Sequence, residues 1–149
     1  MTRRDLLRGT TALAGGSCLC AASAAKSTCC ATPEIEPESV SYTDRELVID
    51  LDRAHSLGEV GASANLIEPK RELDLILVHE KRHRYRVLSG LCTHFPRPLA
   101  YVRSRGVLQC VNFNHSIFDL DGNVVKGPAP KPIRAYSAIV EGRRLRITL

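Results

Sequence analysis

Tryptophan is absent, methionine occurs once, and phenylalanine and tyrosine together number seven in 149 residues. With 44% apolar and 25% charged residues, the chain fits one globular domain and leaves no room for a second with catalytic machinery of its own. Helical periodicity is missing from every long window, and there is no internal repeat. Long apolar runs are missing too. The one exception, residues 10–25, contains Gly15, Gly16 and several hydroxyl residues, which weakens it as a permanent membrane span. A strong charge of one sign is also lacking: the net charge is +5, and residues 25–149 carry 18 basic against 15 acidic side chains. That excess is too small to argue for nucleic acid. The basic run Lys81-Arg82-His83-Arg84 lies between alternating residues and is expected in a solvated turn.

The first residues carry a different pattern. Thr2-Arg3-Arg4-Asp5-Leu6-Leu7-Arg8 sets an arginine pair before leucines, a mildly apolar stretch and the small residues Ala22-Ser23-Ala24. This resembles a twin-arginine signal, with cleavage after Ala24 or retention as an N-terminal membrane anchor. It implies export of a folded protein to the periplasm or the periplasmic face of the inner membrane. Cys18 and Cys20 fit a lipoprotein cleavage box poorly, and Cys29-Cys30 reads as linker.

Residues 1–25 are thus expected to be the signal or anchor, the Pro-, Ser-, Thr- and Glu-rich residues 26–44 a linker, and residues 45–149 the folded domain. In that domain, short runs such as Leu47-Val48-Ile49-Asp50-Leu51, Leu73 to Val78, Tyr85 to Leu88, Val107 to Val111, Ile117 to Leu120, Ile133 to Val140 and Leu145 to Leu149 read as strands. Asp121-Gly122-Asn123, Glu141-Gly142-Arg143 and Ser104-Arg105-Gly106 are hairpin signals, and Gly127-Pro128-Ala129-Pro130-Lys131-Pro132 is a stiff loop. The expected fold is all-β, a small antiparallel sandwich or barrel.

Two loops between these strands carry chemistry. Cys92-Thr93-His94 opens one, and Cys110-Val111-Asn112-Phe113-Asn114-His115 forms the other. A Cys-x-His step in extended chain points both side chains the same way, so each loop offers a thiolate and an imidazole. Soft sulfur with borderline nitrogen selects zinc or an iron–sulfur cluster over calcium or magnesium. His55, His79 and His83 lie outside both loops and are read as structural or solvated.

The residues Cys92-Thr93-His94, Pro98-Leu99-Ala100-Tyr101, Cys110, His115-Ser116-Ile117-Phe118-Asp119 and the loop Gly127 to Ile133 resemble a Rieske protein over residues 45–149. The resemblance implies a cluster-binding subdomain of two loops, in which Cys92 and Cys110 hold one iron of a [2Fe–2S] cluster and His94 and His115 the other. It implies a potential of roughly −150 to +300 mV in place of about −400 mV, with the electron settling on the histidine-ligated iron. The potential falls as pH rises, and Tyr101 and Ser116 are candidates for hydrogen bonds to sulfur. Two departures stand out. Four residues separate Cys110 from His115 where the family usually has two, which needs a bulge at Asn112-Phe113-Asn114; and the extra disulfide cysteines of the respiratory-complex members are missing after His94.

The expected function is one-electron transfer by an exported carrier with no catalysis of its own, working with redox partner proteins such as a cytochrome or a larger oxidase subunit. The alternatives are a small iron–sulfur subunit of a membrane-associated oxidase, of arsenite-oxidase or quinol-oxidising type, and a zinc-stabilised β module used for binding.

Overall fold

The computed structural model describes residues 32–111 and 115–149. Its strands, in chain order, are β1 (Val40–Tyr42), β2 (Glu46–Asp50), β3 (Ser63–Glu68), β4 (Leu73–Lys81), β5 (Arg84–Ser89), β6 (Leu99–Val102), β7 (Val107–Cys110), β8 (Ile117–Phe118), β9 (Val124–Lys126), β10 (Ala135–Tyr136), β11 (Ala138–Glu141) and β12 (Arg144–Thr148). Single 3-10 turns at Pro37–Ser39, His55–Leu57 and Pro69–Arg71 are the only helical segments among the described residues. None of these is long and apolar enough to cross a membrane.

All strand pairs are antiparallel, and they form three sheets, ordered β1-β2-β12-β11, β10-β5-β4-β3 and β6-β7-β8-β9. The expected all-β antiparallel fold is what the chain adopts. The apolar run in β4 places that strand between two cores. Successive side chains of a strand point to opposite faces, so Leu75 and Leu77 enter one core with Leu47, Ile49, Leu145 and Ile147. Ile76 and Val78 enter a second core with Leu88, Leu99, Leu108 and Phe118. That second core also contains Cys92 and Cys110, so the thiols are part of the apolar packing of the β6–β9 sheet.

Turn chemistry fixes the hairpins as expected. Gly106, Gly122 and Gly142 have φ of +62°, +91° and +61°, where a side chain would be strained. Asp119 closes the β8–β9 turn by accepting the Asp121 and Asn123 backbone N–H groups at 2.9 and 2.8 Å. Arg86 braces that turn against the middle sheet, binding Glu80 at 2.7 Å and Asp121 at 2.8 Å.

One boundary differs from expectation. The folded unit begins before residue 45: the Ile35 N–H donates to the Asn65 carbonyl and the Asn65 N–H to that of Pro33, both at 2.8 Å. Ile35 is buried, β1 pairs with β2, and both Glu36 carboxylate oxygens accept from Ser56 at 2.9 Å. Burying an isoleucine contributes about 1.5–3 kcal/mol, enough to fix a segment whose composition reads as linker. Residues 1–31, with the arginine pair and Cys18, Cys20, Cys29 and Cys30, lie outside the described residues.

Candidate metal centre

Three loops meet at one end of the β6–β9 sheet. The first leaves β5 at Gly90, whose N–H donates to the Asp74 carbonyl at 2.8 Å. It is closed by a bridge between Leu91 and Pro98, by the Cys92 N–H on the Arg97 carbonyl at 2.9 Å, and by the Leu99 N–H on the Gly90 carbonyl at 2.8 Å. The second loop is closed by the Cys110 N–H on the Ser116 carbonyl at 2.9 Å. It is tied to the first by the Val111 N–H on the Pro98 carbonyl at 3.2 Å.

The third is the proline-rich loop. The Thr93 hydroxyl donates to the Lys131 carbonyl at 2.6 Å, fastening it to the first loop. Gly127, at φ +105°, lies so close to the second loop that a Cβ there would sit 2.6 Å from Ser116 Cα. Only glycine fits that approach.

Within this frame Cys92 and Cys110 are buried side by side, while His94 and His115 are exposed. The Cys92 sulfur receives the backbone N–H groups of His94 and Phe95, the Ser116 hydroxyl and the Cys110 thiol. Burial works to push the Cys92 thiol up, and these donors together bring it below the ordinary cysteine value. A thiolate is the form that ligates metal, so the pocket favours the ligating state.

His115 Nδ1 lies 3.2 Å from the Cys110 carbonyl oxygen. His115 has φ +32°, a left-handed conformation for a non-glycine residue. The expected bulge at residues 112–114 lies outside the described residues.

The structure thus brings together the two cysteines, and Ser116 with Cys92. His94 adds its N–H to the Cys92 sulfur, and Tyr101 packs partly buried on the adjoining core. Among the described residues, no three or more His, Cys, Asp or Glu side chains are gathered so that they could hold a single metal ion. Two buried thiols on a bed of N–H donors, with one exposed imidazole following in each loop, fit a binuclear group that takes its ligands in pairs. The parts that sequence reasoning missed are the Thr93 hydroxyl and the Gly127–Ser116 contact; the available signals were a hydroxyl residue between two ligands and a glycine opening the proline loop.

His79 takes no part in the centre. It is buried in β4, with Nδ1 2.9 Å from the Leu57 carbonyl and its ring stacked on Tyr85 at 4.3 Å. His83 is exposed in the β4–β5 turn, as expected.

The family model for the Rieske [2Fe-2S] domain matches residues 35–137. The ferredoxin of carbazole 1,9a-dioxygenase from Nocardioides aromaticivorans IC177 superposes with a TM-score of 0.56 at 20% identity, covering 72% of this chain and 98% of that one. The plasma membrane Rieske protein PetC3 from Synechocystis PCC 6803 superposes with a TM-score of 0.50, also at 20% identity, covering 58% of this chain and 86% of that one. No curated protein sequence matches. With two thirds of its length matched by the family model, the chain belongs to the Rieske [2Fe–2S] domain family.

Proposed function

We propose that Cys92, His94, Cys110 and His115 are the residues through which this Rieske protein holds its [2Fe–2S] cluster. The bound cluster supplies a one-electron couple, raised in potential where two imidazoles replace two thiolates. The observation that carries the assignment is the pair of buried thiols with backbone and hydroxyl donors on the Cys92 sulfur, flanked by exposed histidines in both loops.

The chain's own residues divide the work. The second core keeps water from the cysteine side, the N–H groups of His94 and Phe95 offset negative charge on sulfur, and His94 and His115 form the edge where an electron enters or leaves. The protein acts as a carrier or relay between redox proteins. The Arg3-Arg4 pair and the small residues ending at Ala24 support export through the twin-arginine route, with the domain working in the periplasm or at the membrane face.

The assignment is tested by iron and acid-labile sulfide analysis of the full chain, expressed with iron–sulfur assembly support, and of four variants: Cys92→Ala, His94→Ala, Cys110→Ala and His115→Ala. We expect two irons and two sulfides per chain in the parent and loss of most of both in each variant. A variant that retains the full complement removes its residue from the ligand set. Zinc without sulfide in the parent would instead support the binding module.

A further inference from the structure

The centre has an uneven charge setting. The described residues carry seventeen basic and fifteen acidic side chains. Four of the seventeen, Arg97, Lys126, Lys131 and Arg134, fall in the three loops and the strand ends that lead into them, residues 90–98, 110–117 and 126–134, and none of the fifteen acidic groups does. The remainder is slightly acidic, thirteen against fifteen, so the domain is polarised with its positive end at the loops. All four side chains are exposed.

Of the thirteen basic side chains elsewhere among the described residues, Arg53, Arg84, Arg86, Arg143 and Arg146 bind a carboxylate within 4.0 Å and the other eight do not. Among the described residues the four loop cations have no ion pair: Arg97 lies over the Phe95 ring and Arg134 over the Tyr136 ring. The acidic groups behind the loops are taken up or withdrawn. Asp119 is bound by Asn123, Asp121 by Arg86, and Asp74 is half-buried with its carboxylate on Gly90.

Two large apolar side chains are exposed in the same loops. Phe95, next to His94, is 54% exposed, and Val111, next to Cys110, is 58% exposed. An apolar centre inside a charged rim is the anatomy of a protein interface, and an unneutralised rim of one sign steers a partner of the other.

We infer that Phe95 and Val111, rimmed by Arg97, Lys126, Lys131 and Arg134, form the docking face for a redox protein with an acidic surface, over the histidine edge. This rests on the cluster being held at that end. Each encounter passes one electron from the reduced domain to one ferric haem when the partner is a cytochrome, so the domain is oxidised by one electron as the haem iron becomes ferrous.

The test uses the cluster-loaded full chain, reduced with dithionite and freed of excess reductant. It is mixed in a stopped-flow instrument with cytochrome c, a basic protein, or with the same cytochrome after succinylation of its lysines, which makes it acidic. At low ionic strength we expect the acidic form to be reduced at least about tenfold faster, with the preference collapsing above about 0.1 M salt, where the Debye length is about 10 Å. The double variant Arg97→Glu with Lys131→Glu should abolish or invert the preference. Arg82→Glu with Arg105→Glu, in the turns away from the loops, should keep it. Equal rates for the two forms, a preference for the basic form, or equal effects of the two double variants would overturn the inference while leaving the cluster assignment standing. A chain that takes up no cluster overturns both.

Discussion

Removing the Ser116 hydroxyl should lower the reduction potential without emptying the site. Ser116 is buried at 2% exposure, and its hydroxyl donates to the Cys92 sulfur beside the N–H groups of His94 and Phe95. Ser116→Ala removes one donor and leaves the backbone donors in place. A hydrogen bond to a charged acceptor contributes about 1.5–3 kcal/mol. The bond strengthens on reduction because the added electron increases negative charge at the ligand sulfurs. With roughly a third to a half of its strength gained in the reduced state, the differential is about 1 kcal/mol. A tenfold change is 1.36 kcal/mol and corresponds to 59 mV for one electron, so the potential should fall by about 40 mV. The assay is an EPR-monitored redox titration at fixed pH, with iron content and circular dichroism confirming a loaded, folded variant. A loaded variant whose potential is unchanged or higher would refute the claim that the hydroxyl acts on the sulfur.

Three further outcomes follow from the geometry. Gly127→Ala places a Cβ against the Ser116 backbone at φ +105° and should cost about 1–3 kcal/mol in strain, seen as a lower urea midpoint and faster iron loss; an unchanged midpoint would remove the close approach from the account. Asp74→Asn should stabilise the domain at neutral pH and have little effect in acid. Burial holds the Asp74 carboxyl above its ordinary value, so its destabilising contribution grows as pH rises from the unfolded value through the folded one; melting curves of both proteins from pH 3 to 8 should diverge as pH rises. Glu80→Gln should do the reverse. The Arg86 hydrogen bond is the leading cause holding Glu80 below its ordinary value, so its contribution is present above the unfolded value and is lost as pH falls through the folded one, and the two melting curves should converge in acid.

The sequence showed strands where burial leaves a pattern. β4 is covered on both faces, so Leu75 to Val78 reads as an unbroken apolar run, and β12 alternates because Leu145 and Ile147 point inward while Arg144 and Arg146 point out. β3 was not legible. Its buried positions are Ala64 and Leu66, and its outward-facing Ile67 is 55% exposed, which blurs the alternation. The run from Ile133 to Val140 reads as one strand, yet it divides at Ser137. Ala135–Tyr136 pairs with β5 and Ala138–Glu141 with β12, in different sheets, a change of partner that no local periodicity encodes.

The centre was legible in its residue types and only partly in its construction. Cys92 and Cys110 stand out by chemistry, and a shared core unites them. The clamp from Thr93 to Lys131 spans 38 positions, and the packing of Gly127 on Ser116 joins two loops separated by a hairpin. Such contacts follow from the tertiary fold and leave no mark in spacing.

The central claim, that Cys92 and Cys110 share the cluster with His94 and His115, is tested most directly by pulsed EPR of the dithionite-reduced full chain, resolving nitrogen couplings in the parent, His94→Ala and His115→Ala. The account predicts a rhombic signal with two strongly coupled nitrogens in the parent, and loss of one coupling, or of the signal, in each variant. A parent signal without strongly coupled nitrogen, or one that keeps both couplings in either variant, would contradict it.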